Sequence, residues 1–173
     1  VSPAMLNAAK RALRDSSEFK FKDTVGPFFV GPTFGVNTPL TTISQGTDSD
    51  NRIGARITMT RLDVNLFGRQ TDGMRLILYV PKIADSNIGT SIGLNSALDN
   101  NAYWVLHDEV YGEVDNQTAI NFKLNKIMKM YYRGSAGSSY EKNPILMYLA
   151  PVNLTGDPNV RCDGYIKLWY KDY

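Results

Sequence analysis

The stretch RITMTRLDVNLF, residues 56–67, constrains the fold more than any other part of the chain. Ile57 and Met59 lie on one phase of a two-residue period, and Leu62, Val64 and Leu66 on the other. That period sends alternate side chains to opposite faces, as a strand does and a helix does not. The phase slips near Thr60-Arg61, the signature of a β-bulge. A long strand with one apolar face needs strands beside it and a second layer to cover that face.

The rest of the chain supplies them. Met74-to-Val80 is largely apolar, which predicts a strand buried on both faces. Further runs of strand formers occupy 102–110, 119–132, 144–152 and 164–170. Turn signals rich in Gly, Asn, Asp and Ser separate them at 68–73, 112–117, 134–139 and 156–159. The segment GTSIGLNSALDNN, 89–101, has room for a short helical turn around Leu94-to-Leu98. Helical patterns do not alternate with these strands, which disfavours βαβ units, and no repeat of 20–50 residues points to a solenoid or propeller. About eight short strands in 173 residues, 43% of them hydrophobic, predict one all-β domain, a sandwich or a barrel. No apolar run approaches the roughly 20 residues that span a bilayer, and no signal-peptide order is visible.

The N-terminus differs in character. Ser2-Pro3 is a helix start, and Met5, Ala8, Ala9, Ala12 and Leu13 then recur at near-helical spacing, with Lys10, Arg11 and Arg14 largely on the other side. One short amphipathic helix is expected, with too little apolar area to be stable alone in water. Between it and Arg56 the breakers Gly26-Pro27, Gly31-Pro32 and Pro39 predict an extended connection. Net charge is +2, yet residues 1–22 carry Lys10, Arg11, Arg14, Lys20 and Lys22 against only Asp15 and Glu18, a local excess of three. Positive charge gathered in one arm points to a polyanionic partner.

Catalytic patterns are missing. His107 is the single histidine, and no G-x-S-x-G elbow accompanies it. Asp108 and Glu109 are adjacent, so on a strand they face opposite ways. Asp48-Ser49-Asp50-Asn51 starts like a calcium loop, but Arg52 and Ile53 break that pattern. Cys162 stands alone, which fits a small buried residue and excludes an internal disulfide. No phosphate-binding glycine loop occurs. Lys123, Lys126 and Lys129 are spaced by three, which on a strand alternates faces and fits a protected sheet edge. Ten tyrosines suit a protein interface or a sugar site equally. The chain reads as a non-enzyme.

The segment ISQGTDSDNRIG supplies a resemblance. Ile43, Gln45-Gly46, Asp48, Arg52 and Gly54 match a loop, I-x-Q-G-[TD]-D-x-x-x-R-x-G, of small single-jelly-roll viral capsid proteins. The chain is similar to coat proteins of the satellite tobacco necrosis virus type and to capsid proteins of small circular, Rep-encoding single-stranded DNA viruses. The basic helix around Met5-to-Arg11 and the tail LWYKDY fit the same family. The resemblance implies an eight-stranded antiparallel jelly-roll β-sandwich of two four-stranded sheets, with 56–67 as the first strand. It implies a basic helical arm, 1–22, facing the shell interior, and a shell domain, 23–173. It implies a homo-oligomer, in the simplest case a T=1 shell of sixty copies, assembled inside a host cell and found in the virion, with no membrane partner. Lys10, Arg11, Arg14, Lys20 and Lys22 would contact a packaged single-stranded RNA or DNA genome. No cofactor is required, and Ca²⁺ between subunits would be held by the carbonyls of Ile53 and Arg56 and the carboxylates of Asp172 and Glu18. The alternative reading is a jelly-roll carbohydrate-binding, lectin-like module.

Overall fold

The structure is a computed structural model that describes residues 2–15, 19–30, 35–48, 50–69, 73–83, 85–89, 92–93, 96–112, 118–151 and 160–172. One helix, α1 (Pro3–Asp15), precedes the strands β1 (Phe19–Val25), β2 (Phe28–Val30), β3 (Val36–Pro39), β4 (Arg56–Arg69) and β5 (Gly73–Pro81). After these come β6 (Tyr103–Gly112), β7 (Thr118–Tyr132), β8 (Tyr140–Lys142), β9 (Leu146–Pro151) and β10 (Val160–Asp172). Ser2 caps α1 as its sequence requires: its Oγ accepts the Met5 N–H at 3.3 Å.

All strand pairs are antiparallel. One sheet has the order β1-β10-β4-β7-β8, with β2 also on β10, and the other is β3-β9-β5-β6. Setting aside the three-residue β2 and β8, each sheet has four strands. The chain crosses between the sheets at every step from β3 onward except β5 to β6 and the short β7 to β8. This winding is the jelly roll. The expected slip in β4 is present: pairing with both β10 and β7 shifts register between Met59 and Arg61.

Two expectations are corrected. Residues 56–67 form not the first strand but part of β4, because β1, β2 and β3 precede them. The boundary placed after residue 22 falls inside β1, whose pairing with β10 begins at Phe19↔Lys171. In FKFKDTV the apolar face is aromatic and alternates with lysine, so the segment reads as part of a basic arm although it is a strand. β3 has four residues and ends on Pro39, and so lacks a visible period.

The main core lies between the sheets. It joins Leu62, Val64 and Leu66 of β4 and Ile166 and Leu168 of β10 to Leu76 and Leu78 of β5 and Met147 and Leu149 of β9. A second cluster, Ile77, Tyr79, Tyr148 and Ala150, occupies the outer face of the four-stranded sheet. The 82–102 connection covers it: Tyr148 donates to the Ile92 carbonyl at 2.5 Å, and the Ile88 N–H donates to the Tyr79 hydroxyl at 3.1 Å. Arg75 donates to the carbonyls of Gly93 at 2.9 Å and Ser96 at 2.6 Å and forms a bidentate pair with Asp108, both contacts at 2.8 Å. With a core on each side, β5 is buried throughout from Met74 to Val80, as its sequence predicts. Of the helical turn expected around Leu94-to-Leu98, Leu94 and Asn95 lie outside the described residues, and residues 96–98 are not helical.

Candidate functional site

The loop 43–54 folds back on itself before it enters β4. Gln45 and Arg52 form a parallel bridge, with the Gly46 N–H on the Arg52 carbonyl at 3.0 Å and the Arg52 N–H on the Ser44 carbonyl at 3.1 Å. The acidic tip is capped locally: the Asn51 N–H donates to the Asp48 carbonyl at 3.0 Å. Arg52 itself turns inward and is fully buried. Its Nε donates to the Ile43 carbonyl at 3.0 Å, and its guanidinium donates to the carbonyls of Gly54, Gly134 (2.6 Å) and Ala136 (3.5 Å). The same group lies over the Tyr132 ring, 4.1 Å from its centroid. A buried guanidinium is tolerable only when its donors are satisfied, and here main-chain carbonyls satisfy them. Gly137 allows the two segments to meet, since a Cβ there would come within 2.9 Å of the Ile43 backbone.

The far end of β10 clasps this loop. Asp172, almost buried, accepts hydrogen bonds from the main-chain N–H groups of Ile53 and Gly54, the second at 3.4 Å. Lys20 of β1 lies 3.4 Å from Asp172 and donates to the Asn51 carbonyl at 2.9 Å. Lys22 pairs with Asp50 at 2.8 Å, and this hydrogen bond, with the nearby charge, holds the Asp50 carboxyl below its ordinary range. Tyr170 donates to the Asp50 carbonyl at 3.0 Å. Lys20, Lys22, Asp172 and the loop therefore form one clasp, which leaves the Ile53 side chain exposed at the surface. The residues missed from sequence are the far partners in this clasp, which local spacing cannot reveal.

Two of the groups expected to hold Ca²⁺ between subunits, the Ile53 carbonyl and the Asp172 carboxylate, have partners within the chain. Main-chain donors and the Lys20 ammonium surround the Asp172 carboxylate, which is an arrangement for an anion. The Ile53 carbonyl accepts the Gln45 side-chain amide at 2.7 Å. Arg56 opens β4, opposite Tyr131, and Glu18 lies outside the described residues. Among the described residues, no group of three or more His, Cys, Asp or Glu side chains is placed to hold a metal ion.

Of the arm residues, Lys10, Arg11 and Arg14 lie on α1, and their side chains are outside the described residues. Residues 2–9 of the arm are exposed, with Met5 at 67% and Leu6 at 50%. Lys20 and Lys22 belong to the sheet instead of the arm. His107 is an ordinary strand histidine, 3.0 Å from the Tyr111 hydroxyl and stacked on Phe122 at 4.1 Å between centroids. Burial pushes the Cys162 thiol up to about 12, so it is no nucleophile. Lys123, Lys126 and Lys129 lie along β7, whose outer edge is paired by β8 at Tyr131 and Tyr132. No helix among the described residues is long and apolar enough to cross a membrane.

No protein-family model matches the chain, and no curated protein matches it. Among solved structures, it is similar to a protein of infectious bursal disease virus, Gx strain, at 9% identity and a TM-score of 0.45, covering 91% of this chain and 32% of that one. It is also similar to VP2 in the subviral particle of that virus, at 8% identity and a TM-score of 0.36, over 92% of this chain and 33% of that one. Dimeric latent PorU from Porphyromonas gingivalis is matched at 10% identity and a TM-score of 0.38, over 90% of this chain and 13% of that one. The chain thus spans about a third of the length of the two viral proteins. At these values the likeness assigns neither function nor partner to this chain.

Proposed function

We propose that this chain is a viral capsid protein that self-assembles into a small icosahedral shell, in the simplest case of sixty copies, around a single-stranded nucleic acid. The observation that carries the reading is the exposed amphipathic helix on a jelly roll. Met5 and Leu6 of α1 face solvent, while Lys10, Arg11 and Arg14 share the same short helix. Such a helix gains stability from a second copy and a polyanion, both of which a filled shell provides. The Ile43-to-Gly54 loop supports the same reading. Its polar chain is fixed from within by Arg52 and Asp172, and it offers a firm surface, with Ile53 outward, to a neighbouring subunit. Rigid, preorganised surfaces lose little entropy on association.

Size-exclusion chromatography with negative-stain microscopy tests the proposal. Closed particles containing nucleic acid are the expected result. A stable 19.3 kDa monomer under all salt and pH conditions would overturn it.

A further inference from the structure

The two sheets treat their outer faces differently. The four-stranded sheet hides its outer face under the 82–102 connection. On the other sheet, the register places Phe19, Phe21, Asp23 and Val25 of β1 opposite Lys171, Trp169, Lys167 and Tyr165 of β10, and these side chains point away from the core. Phe19 is 57% exposed and Phe21 44%. Large aromatics left at the surface mark a binding face.

Phe19, Phe21 and Trp169 on this face each have a cation beside the ring. Lys171 Nζ lies 4.5 Å from the Phe19 centroid, Lys167 Nζ 4.4 Å from Phe21 and the Arg61 guanidinium 5.0 Å from Trp169. The Trp169 indole N–H donates to Asp63 at 2.9 Å, which fixes the ring plane. The register slip at Met59/Arg61 interrupts the sheet beside these rings and leaves a hollow of about 440 Å³ lined by Phe19, Thr60, Arg61, Asn125 and Trp169. Arg61, Lys123, Arg161, Lys167 and Lys171 outnumber Asp23, Asp63 and Asp163 on this face, so it is net positive even with Arg61 paired to Asp63 at 2.8 Å and Lys167 to Asp23 at 3.8 Å.

We propose that this hollow binds single-stranded nucleic acid by stacking an unpaired base against Trp169 and Phe19, with Arg61, Lys167 and Lys171 neutralising the flanking phosphates. Alternating rings and cations are the chemistry that such strands require: a π-face for each base and positive charge along the backbone. The Asp63 carboxylate is taken up by the Trp169 indole N–H and by Arg61, and the cations beside Phe19, Phe21 and Trp169 favour a polyanion. The nature of the partner rests on the genome-packaging reading above; the geometry of the hollow does not.

The chain has two tryptophans, so Trp104→Phe in the full chain leaves Trp169 as the sole indole reporter. Titration of that protein with oligothymidylate and oligouridylate is expected to quench Trp169 emission. An abasic oligomer of equal length is expected to leave it unquenched. In the wild-type background, Trp169→Leu is expected to weaken oligomer binding about tenfold, while Trp169→Phe retains most of the affinity. Equal quenching or equal affinity with the abasic oligomer would overturn the proposal, as would quenching only by oligosaccharides or only on self-association. Binding lost on replacing Lys10, Arg11 and Arg14 by Ala, yet unchanged in Trp169→Leu, would overturn this site and leave packaging by the arm standing. Failure of the wild-type chain to bind any oligomer at low salt would sink both.

Discussion

Arg52 shows how far a residue's role depends on what lies beyond its own loop. The spacing of Gln45-Gly46, Asp48, Arg52 and Gly54 picks out the loop and its path into a strand. That the arginine points inward was not legible, because its acceptors at Gly134 and Ala136 lie 82 and 84 positions away in sequence. Replacing Arg52 with Met strands several carbonyls and removes the cation from the Tyr132 ring, at a cost of roughly 3 kcal/mol. Arg52→Lys is expected to recover little, since one ammonium cannot reproduce the planar fork. Urea midpoints of the three proteins check this. His107 makes a pH prediction. Burial lowers its pKa below the ordinary 6.5, so the unfolded chain takes up a proton that the folded chain resists. Stability is therefore expected to decline as pH falls below about 6.5 and to level off below the folded value. His107→Phe, stacked on Phe122 in the same way, should remove that part of the slope while the carboxylate contribution at lower pH remains.

At the scale of elements, legibility followed the hydrophobic period. β4, with its bulge, and the doubly buried β5 were clear because their apolar residues repeat on a strand's period or fill both faces. β9 fell within its predicted run, β7 matched its run to within one residue, and the run predicted at 164–170 is the middle of the longer β10. β1 was not legible as a strand because its outward residues are Phe19 and Phe21, which reverses the usual apolar-in pattern, and its lysines are committed to Asp172 and Asp50. Phe19, one of the two rings proposed to stack a base, is thus also one that disguised its strand. Helix α1 was legible from its Ser2-Pro3 start and its apolar period, and it is found at Pro3–Asp15. Its cations carry a separable prediction. Replacing Lys10, Arg11 and Arg14 with Ala should lower the slope of log affinity against log salt for single strands by about 2, at roughly 0.7 for each phosphate no longer neutralised. Fluorescence anisotropy at several salt concentrations measures the slope, and an unchanged slope would remove the arm from the packaging role.

For the whole molecule, the all-β class followed from the number of strands and turns, whereas the jelly-roll winding rested on resemblance until the strand order was known. Sequence cannot supply that order, because pairings such as β1 with β10 join segments from opposite ends of the chain. The clasp around Asp172 also bears on the shell proposed above. With Lys20 and two main-chain N–H groups already on that carboxylate, chelation is expected to leave shell diameter and melting unchanged. Swelling in chelator, seen by light scattering, would show that subunit contact re-aims Asp172 toward a cation. The position of β10 has a further consequence. It is the last described strand in the chain, yet it lies between β1 and β4 and ends on the residue that clasps the loop. While the ribosome is still making Val160–Asp172, the sheet has a gap at its centre and the loop has no anchor. On the capsid reading proposed above, the surface that would meet a neighbouring subunit is complete only once the chain has been synthesised past Asp172, so assembly has to wait for β10.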